Sequence, residues 1–114
     1  MIVVYGIRNC DKVKKTLNKL RQLTTDYNLY DFKKKPPTSD LILKWQNHFG
    51  DWPINKRGTT YRKIKESFEA SSESNKINLI ISNSSVIIRP IIEKQGKIIS
   101  IGNMSEIESY LDEI

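Results

Sequence analysis

Apolar and polar positions alternate along this chain with two different periods. The run "IVVY" at 2–5 is apolar and largely β-branched, which predicts a buried strand. From Asp11 the period becomes helical. Val13, Leu17, Leu20 and Thr24 fall on one face, while Lys12, Lys14, Lys15, Lys19 and Arg21 mostly occupy the others. "YNLYDF" at 27–32 returns to a strand pattern. Strand, helix and strand in such short succession predict a crossover connection and parallel pairing.

Pro36 and Pro37 stop that strand. Ser39 is a candidate cap for a helix whose apolar face is Leu41, Ile42, Trp45 and Phe49, ended by "GDWP". Thr59 or Thr60 can cap the next, with Tyr61, Ile64 and Phe68 at helical spacing. "ASSESNK" reads as a polar loop. "INLIISNSS" fits strand or helix, and Ile77, Ile80 and Ile81 favour a short helix. "VIIRPIIEK" and "KIISIG" read as two strands joined tightly through Gln95 and Gly96. A closing helix is signalled by the Ser105/Glu108 capping box and the stripe Ile107, Tyr110, Leu111 and Ile114. The order is βαβ, a helical insertion, then ββα. That is an α/β chain with a mixed four-stranded sheet, in the order of a thioredoxin-like fold with helices inserted in its middle.

At 114 residues the chain is expected to form one domain, residues 1–114. With 38% hydrophobic and 28% charged residues it reads as globular rather than disordered. No apolar run approaches the roughly 18 residues that span a bilayer. "MIVVYG" lacks a basic segment followed by a long apolar stretch, so it reads as strand rather than secretion signal. A cytoplasmic location is the expectation. The formal net charge of +6 favours an anionic partner. "KKK" at 33–35 precedes prolines and reads as a solvated turn. With no nucleic-acid motif beside it, direct nucleic-acid binding is not expected. One cysteine and one histidine, His48 in "WQNHFG", exclude an internal disulfide and make a metal site unexpected.

The single cysteine sits in "YGIRNCDKVKK" at 5–15, where strand hands over to helix. N–H groups at a helix start carry partial positive charge and stabilise a thiolate or a bound anion. Arg8 and Lys14 add positive charge, and Asp11 opposes it. Position alone is equally compatible with a nucleophile and with an inert packed cysteine.

"YGIRNCDKVKK", "INKRGTTYRK" and "IIRPII" follow one another at distances that resemble the ArsC/Spx/YffB family of thioredoxin-like proteins. The resemblance covers essentially the whole chain, and "RGTTYRK" is most similar to the YffB branch. It implies that Cys10 is the redox nucleophile, that Arg57 faces the cysteine loop, and that Arg89 is a second arginine standing just before a proline. It also implies that Pro90, following Arg89, forms a cis peptide beside the cysteine. Planar guanidinium forks suit the negative charge that builds as a thiolate attacks sulfur or an oxyanion, and they suit the carboxylates of glutathione.

The pattern departs from the family's arsenate reductases. Those carry a histidine where this chain has Gly6, and a serine and an arginine where it has Val13 and Lys14. Their third arginine, near the end of the last strand, matches a position near Ile101. Arg8 and Lys97 are the basic groups available instead. The Spx regulators bind the RNA polymerase α subunit and sense oxidation through C-x-x-C, whose second position is Val13 here. The expectation is therefore a glutathione-dependent thiol reductase acting on a small anionic substrate. Cys10 would be the nucleophile, and Arg57, Arg89, Arg8 and Lys14 would bind the substrate. No cofactor is held tightly, and glutathione or glutaredoxin supplies the resolving thiol. The alternative is an Spx-like regulator that binds the RNA polymerase α subunit.

Overall fold

Strand β1, Ile2–Gly6, supplies the central rail of a four-stranded sheet. A computed structural model describes residues 1–23 and 26–102. Helix α1, Asp11–Leu23, returns the chain so that β2, Tyr27–Asp31, lies parallel to β1, with Ile2 opposite Tyr27 and Tyr5 opposite Tyr30. Strand β3, Ile91–Lys94, pairs antiparallel with β1, and β4, Lys97–Ile101, pairs antiparallel with β3. The order is β2-β1-β3-β4, a mixed sheet as the element order predicts. Gln95 and Gly96 both take positive φ, 53° and 79°, which makes the two-residue turn of the β3–β4 hairpin. The closing helix read at 105–114, and Thr24, lie outside the described residues.

The chain divides into two compact units. One combines Met1–Asp31 with the segment that begins at Arg89, and the other is Phe32–Ile88. In the sheet unit, period-2 alternation sends Ile2 and Val4 of β1 and Ile92 of β3 to one face. There they form a core with Val13 and Leu20 of α1. Thr16 is also buried, its hydroxyl donating to the Lys12 carbonyl at 2.9 Å. On the other face Tyr5 lies 5.1 Å from Tyr30, and Glu93 is buried on the same side. Burial, followed by the charge of Glu93, pushes the Tyr5 phenol up to about 12.

The helical unit comprises α2 (Ser39–Phe49), α3 (Thr59–Ala70) and α4 (Glu73–Ser82), then a short 3₁₀ turn at Ser84–Val86. Four local expectations are corrected. Thr38 rather than Ser39 caps α2, accepting the Leu41 N–H at 3.3 Å. Gly58 occupies the cap of α3 with no side-chain bond, and both threonines lie inside the helix. α4 starts at Glu73, so most of "ASSESNK" is helix. Ser72 caps it by accepting the Asn75 N–H. β3 starts only after Pro90. The apolar residues before it belong to the 3₁₀ turn and to an antiparallel bridge between Ile54 and Ile87. Trp45 and Ile42 are buried on α2 as expected, but Phe49 is 45% exposed. Gly50 in the left-handed region ends that helix.

Gly6 is fixed by packing and not by its backbone, since its φ is not among the positive ones. A Cβ there would lie 2.6 Å from Val13 Cγ2. Gly6→Ala is expected to destabilise the fold by roughly 1–3 kcal/mol through overpacking. In a Val13→Ala background the same change should cost less than about 0.5 kcal/mol, because the opposing methyl is gone. A denaturant double-mutant cycle measures the coupling, and additive costs would refute the contact.

Candidate active site

Cys10 lies directly before α1, and its carbonyl accepts the first helical bond, from the Lys14 N–H at 2.9 Å. It is therefore the residue that caps the helix. Its own N–H donates to the Ile7 carbonyl at 3.0 Å, which closes a tight turn over residues 7–10. The sulfur takes the place that a serine or aspartate oxygen usually takes in a cap. The N–H groups of Val13 and Lys12 both donate to it. The side chain is half-buried and packs against the core of Ile2, Val4, Val13, Leu20 and Ile92.

Arg89 reaches the same sulfur from another strand. Ile91 pairs with Tyr5, so the residues just before β3 lie alongside the end of β1, where the Cys10 turn begins. The Arg89 guanidinium hydrogen-bonds the Cys10 sulfur. Pro90 is buried, its peptide with Arg89 is cis, and its carbonyl accepts the Gly102 N–H at 2.7 Å. Burial pushes the Cys10 thiol up. The Val13 and Lys12 N–H groups and then Arg89 pull it down further, and the net position is below the ordinary thiol range.

Of the other predicted residues, Arg8 and Lys14 are exposed, within four residues of Cys10, and neither is among the groups that act on its sulfur. Arg57 belongs to the helical unit, in the exposed turn before α3, where its N–H donates to Asn55 Oδ1 at 3.1 Å. His48 is exposed. Glu93 was not singled out by the sequence. Its only signal is an acidic residue closing an otherwise apolar run, "IIEK", and its visible effect is on Tyr5.

Gly6 and Val13, two of the positions at which the sequence departs from the arsenate-reductase pattern, are in contact. A side chain at position 6 and the Val13 methyls would need the same space. Val13 is fully buried while its N–H serves the sulfur. The two departures are one packing decision.

Residues 5–109 match the model of the ArsC family. An uncharacterized protein of Haemophilus influenzae is 35% identical over 99 residues, which are 85% of this chain and 87% of that protein. A possible arsenate reductase of Streptococcus mutans has 30% identity and a TM-score of 0.77, covering 96% of this chain and 97% of its own. The YffB protein has 28% identity and a TM-score of 0.82, covering 97% and 98%. Among the described residues no helix is long and apolar enough to cross a membrane.

Alkylation of Cys10 by iodoacetamide, followed against pH, should show a midpoint below the free value of about 8.5. Arg89→Gln should raise that midpoint. Because folding lowers the thiol's affinity for a proton, Cys10 contributes stability that is complete above the unfolded value. That stability disappears as pH falls through the folded one. Cys10→Ser should abolish this component. An alkylation midpoint at or above the free value, unmoved by Arg89→Gln, would contradict the geometry.

Proposed function

The chain belongs to the ArsC family, and we propose that it is a thiol-dependent reductase whose nucleophile is Cys10. The observation that carries this reading is the convergence of two α1 N–H groups and the Arg89 guanidinium on one sulfur. A protein that only binds a partner needs no such arrangement, which favours the enzyme over an Spx-like regulator.

In the proposed cycle the Cys10 thiolate attacks the oxidised centre of an oxyanionic substrate, and one oxygen of that centre takes up a proton and leaves as water as the bond to sulfur forms. An outside thiolate then attacks the Cys10 sulfur. The bond to the substrate breaks with its electron pair leaving on the substrate, which is thereby reduced by two electrons. A second outside thiolate attacks the outside sulfur of the new disulfide, and Cys10 departs as the thiolate it began as. The two outside thiols end as one disulfide. Cys10 is the sole cysteine of the chain, so both thiols must come from elsewhere. Glutathione or a glutaredoxin is the natural supplier. Arg89 stabilises negative charge at the reacting centre, and Arg8 and Lys14 raise the local potential for anions. The segment around Arg57 carries the family's middle arginine and is assigned to anion binding on that pattern. Gly6, Val13 and Lys14 stand where arsenate reductases carry histidine, serine and arginine, so arsenate is not proposed as the principal substrate.

Incubation with oxidised glutathione alone should add one glutathione to the wild type and none to Cys10→Ser, as read by intact-mass spectrometry. Reduced glutathione in excess, or glutaredoxin, should remove it. Hydroxyethyl disulfide, which is uncharged, should react more slowly by about tenfold after correction for intrinsic reactivity. Equal rates, or a rate matching that of an unstructured cysteine peptide, would defeat the reading. Arg57→Lys and Arg89→Lys keep the charge and lose the fork. Each should weaken glutathione binding at near-native thermal stability. The reverse pattern would make the arginines structural.

A further inference from the structure

Between Arg8 and Arg21 the chain carries six basic side chains and one acidic one, Asp11. Lys12, Lys14, Lys15 and Arg21 are exposed along α1, and so is Arg8 in the turn before it. Among the described residues none of these five forms an ion pair, and Lys19 is half-buried with a partner. The buried stripe of the helix is Val13, Thr16 and Leu20, so the charges occupy the remaining circumference. Cys10, Lys14 and Arg21 follow one another at spacings of four and seven, which places them on a single line along the helix. Helix stability disfavours this distribution. Cations in the first turns oppose the positive end of the macrodipole, and Lys12, Lys14 and Lys15 all lie there. No acidic side chain of α1 other than Asp11 offsets them. A local conflict of this kind with no packing return indicates a use.

We propose that the exposed face of α1 is a docking surface for an acidic protein that carries the resolving thiol. The proposal rests on the reductase reading above. The length of the charged face selects a macromolecule over glutathione. At 1.5 Å per residue a helix of 13 residues extends about 20 Å, whereas a tripeptide reaches at most about 11 Å. Glutathione therefore engages the Cys10 end alone and stops short of Lys19 and Arg21. A protein thiol donor with an acidic face covers the whole line while its cysteine meets Cys10. Complementary charge of this kind acts chiefly on the rate of association and is weakened by salt.

The test uses the full chain with Cys10 converted to its thionitrobenzoate mixed disulfide. A probe peptide thiolate attacks the Cys10 sulfur, the peptide–Cys10 disulfide forms, and thionitrobenzoate leaves as its coloured anion. Three extended peptides of about ten residues serve as probes, each with one terminal cysteine, followed by Asp and Glu, by Ser and Gly, or by Lys. Each rate is normalised to that peptide's rate with an uncharged disulfide. At low salt the acidic peptide should react about tenfold faster than the neutral one. That advantage should fall to about twofold or less in Lys15→Glu/Arg21→Glu and at about 0.2 M salt. The neutral peptide should be unaffected by the variant. Lys15→Gln/Arg21→Gln, which removes charge without reversing it, should lie between. Equal rates for acidic and neutral peptides on the wild type would overturn the proposal. So would an advantage that survives charge reversal, since it would then originate at Arg89. A DNA duplex that slows labelling of the wild type, with no preference for the acidic peptide, would assign the face to nucleic acid and equally overturn it. The alkylation profile separates the two readings. An ordinary thiol with the charge preference intact defeats the reductase alone, and a reactive thiol without the preference defeats the docking surface alone.

Discussion

Everything proposed for this protein depends on one sulfur held at the start of a helix by donors from two directions. The topology delivers both. A helix that connects two parallel strands must begin at the end where the first strand finishes, and its unpaired N–H groups face back toward that end. A third strand antiparallel to the first begins at the same end, so the residue two places before it arrives beside the turn. Cys10 and Arg89 lie 79 positions apart in the sequence, yet their meeting follows from β1 pairing with both β2 and β3. The N–H donors act on whatever atom caps the helix. After the Val13 and Lys12 N–H groups, Arg89 adds a full positive charge that pulls the thiol further down.

Val13 has two duties that restrict each other. Its N–H must reach the sulfur, and its side chain must fill the space between α1 and the sheet. Filling that space brings a methyl to where a Cβ on Gly6 would stand. With position 6 confined to glycine and position 13 to an apolar side chain, neither can supply an acid, a base or a second thiol. The interior is packed closely enough that one methyl decides which residues can take part.

Local signals were legible wherever a period or a turn residue was strong. The apolar run at 2–5, the helical period from Asp11 and the Gln95–Gly96 turn all stand where the sequence predicts them. Sequence signals are ambiguous where several residues can do one job, or where burial has another cause. Thr38 and Ser39 are both good caps, and only the direction of the Leu41 N–H chooses between them. The polar start of α4 is exposed, with Ile77 and Ile80 carrying its burial, so composition masked a helix as a loop. Val86 and Ile87 are apolar because a 3₁₀ turn and a bridge to Ile54 bury them, and that apolarity mimics a strand. For the site, the setting of Cys10 was readable from the change of period. The approach of Arg89 left no local trace, and only the family pattern pointed to it. The exclusion at Gly6 was invisible, since nothing in a glycine announces which neighbour occupies its missing side chain.

The distribution of charge completes the physical picture. Cations in the first turns of an exposed helix cost it roughly 0.3 kcal/mol or more each, against the macrodipole. Asp11 is the only acidic residue on α1, although acidic residues in those positions would stabilise the helix better. Near a sulfur that ionises, the balance changes sign. The potential that weakens the helix also attracts any anion that approaches it. The same groups therefore lower helix stability and favour an approaching anion, and the core of Ile2, Val4, Val13, Leu20 and Ile92 beneath α1 is what allows the helix to carry them. Apolar burial at roughly 1.5–3 kcal/mol per large side chain exceeds the electrostatic loss several-fold. The hydrophobic face of α1 holds the helix in place, and its polar face is free to be shaped by chemistry.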